Sequence, residues 1–401
     1  MTGRGGAAVP ALAIATAVIA TVEFVAIGLL PILAADLGVS LSTAGWLVSG
    51  FALAAALFGP AATLLSEHWQ PRNLLGACLL LFCLGNLAAA AAPSFPLLLG
   101  VRLAQGTALT VFIGVASSAA AQVAGRGNAG RALGWVNLGT VVATVAIVPA
   151  GVAAAGTVGW RAVFTALGVL AALAAIAVRS SLPTLERHGS GAGTGAVGVL
   201  RRPRFLGHLL LSALLFTAMF TSYSYIAALV VRIGGLREQL LAPALLIFGI
   251  AGVLGNWLAA RRVEQLPTTL TALIAAILAV TVAALPLASG SALATFLLVA
   301  VWGAAHTAAF VTCQVRVMLA APDADAFAAS LNISLCNLGI AGGALLGGQV
   351  IAHTQIALLG PATAAVGAAA LLAALLLCGR EPAGTGQTQA GSDISRCISP
   401  E

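Results

Sequence analysis

The sequence predicts an all-α membrane protein, with twelve transmembrane helices arranged as two pseudo-symmetric six-helix bundles. Three observations predict it. Of 401 residues, 60% are hydrophobic and only 7% charged, against roughly 25% charged in soluble proteins, and no soluble core absorbs that much apolar surface. Uninterrupted apolar runs recur from residue 9 to residue 378, most of them exceeding the ~20 residues that cross hydrocarbon at about 1.5 Å per residue. Basic residues fall in alternate loops between those runs. A β-barrel would show ~10-residue segments alternating with period two, and none of these runs alternates.

Taken in order, span 1 (9–34) is too long for a signal-peptide core and lacks a cleavage site of small residues, so it belongs to the mature chain; it carries Glu23. Span 2 (44–65) leads into a loop containing Glu67 and Arg72, and span 3 (73–92) holds one polar residue well inside it, Asn86. Span 4 (96–121) carries Arg102 and Gln105, and span 5 (131–155) carries Asn137 with Gly134, Gly139, Pro149 and Gly151. Span 6 (160–178) has no such polar group. The loop 179–205, with Pro183, a Gly/Ser-rich stretch and Arg201, Arg202 and Arg204, reads as a linker between halves.

Span 7 (206–231) has His208 near its entry, then Thr217, Thr221, Ser222, Tyr223, Ser224 and Tyr225. Span 8 (240–260) carries Asn256 and is followed by Arg261 and Glu264, while span 9 (267–288) carries nothing comparable. Span 10 (291–316) holds His306 and Gln314, and span 11 (326–351) holds Asn332, Asn337 and Gln349 among five glycines. Span 12 (356–378) again has none, and the polar tail 379–401 reads as disordered. The expected organisation is a cytoplasmic N-terminus (1–8), bundles over 9–178 and 206–378, the linker 179–205, and the tail.

All eighteen basic residues are arginine. With the N-terminus inside, fourteen fall at cytoplasmic loops or tails (Arg316 counted among them), while Arg161, Arg232 and Arg237 fall outside and Arg102 within a helix. The positive-inside rule then places both termini in the cytoplasm. The net charge of +7 is thus a topology signal and not a nucleic-acid footprint. Six scattered cysteines with no metal-type spacing read as free thiols. No cofactor or metal is expected.

Polar residues avoid nearly every third span, the pattern produced when spans 3, 6, 9 and 12 lie outermost and the others line a cavity. A weak internal repeat follows spans 2 and 8, where Thr63 to Glu67 parallels Ala260 to Glu264. Two six-helix halves of this kind suit a rocking transporter with its site between them. Glu67, Arg72, Arg261 and Glu264 are candidate gating-loop residues.

Glu23 is the only carboxylate deep in the membrane, at a cost of about 2.5–3.5 kcal/mol or more if charged, so it is protonated, paired or wet. It reads as a proton site; the alternative is a buried Glu held by hydrogen bonds for packing. Arg102 lies within ~10 Å of it in depth and is its obvious partner; the alternative is a structural tie that snorkels outward. His306, the only deep imidazole, relays protons, contacts substrate, or bonds helix to helix. Tyr223 and Tyr225 are two residues apart and cannot both face one cavity, so one contacts substrate while the other packs, unless both form a helix-end belt. The candidate cavity set is Gln105, Asn137, Thr217, Thr221, Tyr223, Tyr225, Asn256, His306, Gln314, Asn332 and Asn337. Pro149 and Gly151 are candidates for bending span 5.

Several stretches carry a family likeness: Val22-Glu23-Phe24 through Gly28-Leu29-Leu30-Pro31 to Asp36; Arg102-Leu103-Ala104-Gln105-Gly106; Gly159-Trp160-Arg161; Ser224-Tyr225-Ile226; Gln314-Val315-Arg316; and Asn332 to Asn337. In this order and on these spans the chain resembles the major facilitator superfamily, in its twelve-helix drug:proton antiporter branch, close to the arabinose-efflux-permease-like proteins. The resemblance implies the major facilitator fold, a bacterial plasma-membrane location, alternating access, and export of a drug, natural product, sugar or nucleoside driven by inward proton movement. It places the helix-1 acid at Glu23 and the helix-4 arginine at Arg102. Two features depart from it. The loop after span 2 usually reads Asp-Arg-x-Gly-Arg, whereas here it is Glu67-His68-Trp69-Gln70-Pro71-Arg72; and Val148, not Gly, precedes Pro149.

The expected protein is therefore a proton-coupled exporter, monomeric, with protons, a small molecule and the bilayer as partners. Proton symport or facilitated uptake is the alternative. An enzyme is not expected, because no metal constellation, nucleophile elbow or second deep acid is present. A receptor would not need polar residues facing a cavity in both halves.

Overall fold

The computed structural model describes residues 5–66, 68–125, 128–185 and 196–378. Glu67 and the tail 379–401 lie outside the described residues, as do 1–4, 126–127 and the middle of the linker, 186–195.

Among the described residues all regular structure is helical. The first half comprises α1 (Gly5–Asp36), α2 (Leu41–Ala44), α3 (Trp46–Leu57), α4 (Gly59–Leu65), α5 (Pro71–Ala90), α6 (Phe95–Ala124), α7 (Ala129–Val142), α8 (Val148–Val158) and α9 (Trp160–Ser181). The second comprises α10 (Pro203–Tyr223), α11 (Ile226–Arg232), α12 (Leu241–Ala260), α13 (Pro267–Ala283), α14 (Ala292–Leu319), α15 (Asp325–His353) and α16 (Leu359–Cys378). Among the described residues ten helical stretches are long and apolar enough to cross a membrane, and Leu41–Leu57 and Pro267–Ala283 are shorter apolar ones, which brings the number to twelve.

Local chemistry sets the boundaries. Prolines open α5, α6, α10 and α13, where the missing N–H falls among groups that have no helical partner anyway. Gly125 (φ 74°) ends α6, and Gly159 (φ 83°) separates α8 from α9, both in the left-handed half of backbone space that other residues rarely enter. Span 2 is broken at Gly45 and Phe58, and span 7 at Ser224–Tyr225. In span 5 the turn Ala143–Ile147 is widened into a π-helix just ahead of Pro149, the local adjustment that lets a spanning helix accommodate proline.

The two halves repeat one packing scheme. In the first, α1 packs on α7, α3 on α6 and α5 on α9; in the second, α10 packs on α15, α12 on α14 and α13 on α16. By span these pairs are 1–5, 2–4 and 3–6, then 7–11, 8–10 and 9–12. Each inner crossing is closed by a glycine against a main-chain carbonyl: Gly139 on Ala13, Gly106 on Phe51, Gly255 on Ala304 and Gly343 on Thr217. Such contact lets helices approach closely where burial of apolar surface supplies no drive between them. Helices α5, α9, α13 and α16 pack within their own halves, as the polar-residue pattern predicts for outermost spans.

The halves meet through the inner helices: α2 and α3 against α15, α1 against α11, and the π turn with α8 against α12. At the end away from the linker, the far end, α2 and α11 seal this seam. At the linker end α4 packs chiefly on α3 and α6, and α7 on α1 and α6.

One charge assignment is corrected. Arg316 does not reach a loop; it is buried inside α14, where its guanidinium donates to Ser212 Oγ at 2.8 Å and lies 3.4 Å from His208 Nδ1, both on α10. Three residues of helix follow it, so it cannot reach the headgroups without leaving that pocket. Cys78, Cys83, Cys313, Cys336 and Cys378 are free thiols, as expected; Cys397 lies outside the described residues.

Candidate substrate and proton site

The two predicted charges deep in the membrane, Glu23 and Arg102, arrange themselves differently from a simple ion pair. Arg102 is buried where α6 crosses α1 and α3, and its three nitrogens donate to main-chain carbonyls: Nη1 to Val22 at 2.8 Å, Nη2 to Glu23 at 3.2 Å and Nε to Leu47 at 3.2 Å. Its carbon Cζ sits 4.1 Å from the centre of the Phe51 ring. The expected carboxylate–guanidinium bridge to Glu23 is thus absent among the described residues, because the planar fork is satisfied by helix carbonyls that keep a second lone pair free. Nor does Arg102 snorkel.

Glu23 itself is half-buried on α1. No hydrogen bond to its carboxylate occurs among the described residues, yet it is close enough to Arg102 in its own half and to Tyr223 in the other half to interact electrostatically with both.

Tyr223 belongs to an aromatic cluster that surrounds His306. Ring centres lie 4.2 Å from His306 for Tyr223, 5.4 Å for Phe220 and Phe248, and 5.8 Å for Phe310. Trp302 closes the group edge-on against Phe248 at 5.8 Å. His306 Nδ1 and Trp302 Nε1 are buried without a hydrogen-bond partner. Sequence reasoning singled out the histidine and the tyrosine but missed the rings around them. The signal was present: Trp302, His306 and Phe310 recur every four residues, and Phe216, Phe220 and Tyr223 follow at four and three, so each set faces one way.

Tyr225 is the tyrosine that packs. Its hydroxyl donates to the Ala344 carbonyl at 2.9 Å, and its ring and hydroxyl lie against Gly347, Gly348 and, across the seam, Gly45. Thr217 and Thr221 donate to carbonyls of their own helix, at 2.8 and 2.7 Å, and abut the glycines of α15. Gln105 turns to α5, donating to Asn86 at 3.4 Å, which accounts for the one polar residue of span 3. Gln314 and Asn332 bind each other at 2.8 Å across α14 and α15, and Asn337 donates to Ile333 of its own helix at 3.0 Å. Asn137 is exposed on α7 and Asn256 half-buried on α12. The predicted cavity set therefore divides: Tyr223 and His306 come together, with the proton-site candidate Glu23 near Tyr223, while Gln105, Thr217, Thr221 and Tyr225 serve helix packing.

Among the described residues, the loop candidates Arg72, Arg261 and Glu264 do not pair with one another. Arg261 Cζ lies over the Trp257 ring, 3.6 Å from its centre, Glu264 is exposed, and Arg72 is half-buried. Glu67 lies outside the described residues. Gly151 fits between Val25 and Val163, one turn beyond the π segment that precedes Pro149. A charged clasp that the sequence reading did not assign sits at the far end. Arg161 pairs with Asp36 and donates to the Ala92 carbonyl at 3.3 Å, while Trp160 Nε1 donates to Asp36 at 3.1 Å, tying together the ends of spans 1, 3 and 6.

Comparison with known proteins places this arrangement. A family model described as Major Facilitator Superfamily matches residues 12–344. A probable sugar efflux transporter of Mannheimia succiniciproducens is 30% identical over 366 residues, covering 91% of this chain and 92% of its own. The chloramphenicol resistance protein of Streptomyces lividans is 34% identical over 349 residues, with 86% and 88% covered. The inner membrane transport protein YdhP of Escherichia coli K12 is 32% identical over 344 residues, with 85% and 88% covered. Among solved structures, the xylose transporter XylE from E. coli shares the fold with a TM-score of 0.73 at 15% identity, covering 94% of this chain and 98% of that one. The nucleoside transporter NupG does so at 0.71 and 14%, with 92% and 98% covered. This chain belongs to the major facilitator superfamily and is a multi-pass membrane transporter.

Proposed function

We propose that the protein is a secondary active exporter of a small organic compound, driven by inward proton movement, and that Glu23 carries the proton. The observation that bears most weight is the position of its carboxylate. It stands at the seam between the halves, without a hydrogen bond among the described residues, in electrostatic reach of a fixed cation on one side and Tyr223 of the aromatic cluster on the other. Arg102 holds its place through main-chain carbonyls, so it acts as a permanent positive charge beside Glu23 and not as an anion receptor. A carboxyl so placed is protonated in one state and ionised in the other, and substrate entering against Tyr223 and His306 alters that balance.

The arginine distribution supports cytoplasmic termini, and on that reading the sealed far end faces outward and the described state loads from inside. The neighbour XylE was solved in a partially occluded inward-open conformation, which agrees with that reading. Export is supported by the names of two relatives, one for sugar efflux and one for chloramphenicol resistance. The protein works as a monomer without catalysing a reaction.

The test is transport in proteoliposomes of fixed orientation. Glu23→Gln is expected to abolish uphill movement under an imposed pH gradient while leaving downhill flux within about threefold of wild type. Full proton-driven transport by the variant would remove Glu23 as the coupling group.

A further inference from the structure

A groove of about 270 Å³ opens on the outside of the first half at the linker end, between α4, α5 and α6. Its walls are Ala62, Cys78, Leu81 and Ala104, with Ser66 and Thr107 as the hydroxyls. Both hydroxyl hydrogens are already engaged: Ser66 donates to the Ala62 carbonyl at 2.7 Å and Thr107 to the Leu103 carbonyl at 3.2 Å. The groove is thus apolar along its length, and what lies outside it is bilayer hydrocarbon.

Its mouth is different. Trp69, 47% exposed, lines it at the headgroup level, where an indole is at home. Beside it, on the first turn of α5, Arg72 has a buried Nε with no hydrogen-bond partner, and Gln70 Oε1 is buried and unpartnered too. No ion pair to Arg72 occurs among the described residues. Gln70, which stands where the family pattern has Gly, is one of the residues by which this loop departs from that pattern. From Arg72 to Leu81 the helix rises about 13 Å, close to the thickness of one hydrocarbon leaflet.

We propose that this site binds an anionic phospholipid, with an acyl chain in the groove and the phosphate held by Arg72. A neutral tail alone fills the groove but leaves the guanidinium unpaired. A free phosphate satisfies the cation but leaves the slot empty. A phospholipid does both, and in the orientation proposed above it comes from the cytoplasmic leaflet, which is rich in anionic lipid. The proposal rests on that orientation for the leaflet alone, and not on transport direction.

Native mass spectrometry of the full chain in a delipidating detergent tests it, with dioleoylphosphatidylglycerol, dioleoylphosphatidylcholine or inorganic phosphate added. The wild type is expected to retain phosphatidylglycerol about fivefold better than phosphatidylcholine, the factor that one Arg beside an anionic surface provides at about 1 kcal/mol. Arg72→Gln should erase that preference, and Arg72→Lys should keep it, which separates loss of charge from loss of fold. Ala104→Phe, at an exposed position on the groove wall, should lower retention of both lipids several-fold. The proposal is overturned if the preference survives Arg72→Gln, if retention is unchanged in Ala104→Phe, or if millimolar phosphate displaces phosphatidylglycerol, which would mark a free-anion site.

Discussion

A guanidinium buried among helices needs acceptors for its N–H groups, and Arg102 and Arg316 meet that need in different ways. Arg102 takes three main-chain carbonyls, whereas Arg316 takes a serine, an imidazole and a thiol through its Nη atoms and leaves its buried Nε unpartnered. Lysine cannot reproduce a planar fork. Arg102→Lys is accordingly expected to lower stability by about 1–3 kcal/mol, the cost of leaving buried polar groups unmatched, read as a drop in unfolding temperature in detergent. The Asp36–Arg161 pair is a contrasting case, since its side chains are 41% and 45% exposed. Asp36→Asn should cost no more than about 1 kcal/mol, as exposed ion pairs generally do. The sequence displayed all of these charges, and it showed that Glu23 and Arg102 lie at similar depth. It did not show that the arginine binds carbonyls in preference to the carboxylate, because that choice depends on how α6 is rotated against α1 and α3.

At the scale of elements, the break of span 2 at Gly45 and the breaks in spans 5 and 7 fall where the halves touch. Gly45 lies between α2 and α3 and faces the Tyr225 hydroxyl, so a methyl group there would collide with a side chain anchored on Ala344. Gly249 on α12 likewise rests on the π turn at Thr144 and Val145. Gly45→Ala is therefore expected to oppose far-end closure and favour the state open at that end. Electron–electron resonance between spin labels at Ala35 and Arg237, in a chain without its native cysteines, should report a shift to longer distances; an unchanged distribution would show that the contact does not control closure. Pro149 and the glycines of span 11 flagged these regions in the sequence. Nothing local marked Gly45, whose role comes from a tyrosine 180 residues away in the chain.

For the whole molecule, the arginine distribution and the even number of spans predict that, at either terminus, a fused fluorescent protein is active while a fused phosphatase that needs oxidised disulfides is inactive. Paired phosphatase and fluorescent-protein fusions would measure this, and a terminus found outside would reverse the orientation assigned to the sealed far end. The sequence by itself determined how many times the chain crosses the bilayer, the family it resembles, and which spans lie outermost. Those properties are sums over neighbouring residues, since insertion depends on the apolarity of a ~20-residue window and sidedness on the charges flanking it. Only the tertiary structure decided that Arg102 holds carbonyls, that His306 sits among aromatic rings, that Tyr223 and not Tyr225 accompanies Glu23, and that the far end is the closed one. Each of these depends on the rotation and crossing point of helices far apart in the chain, which hydropathy averages away.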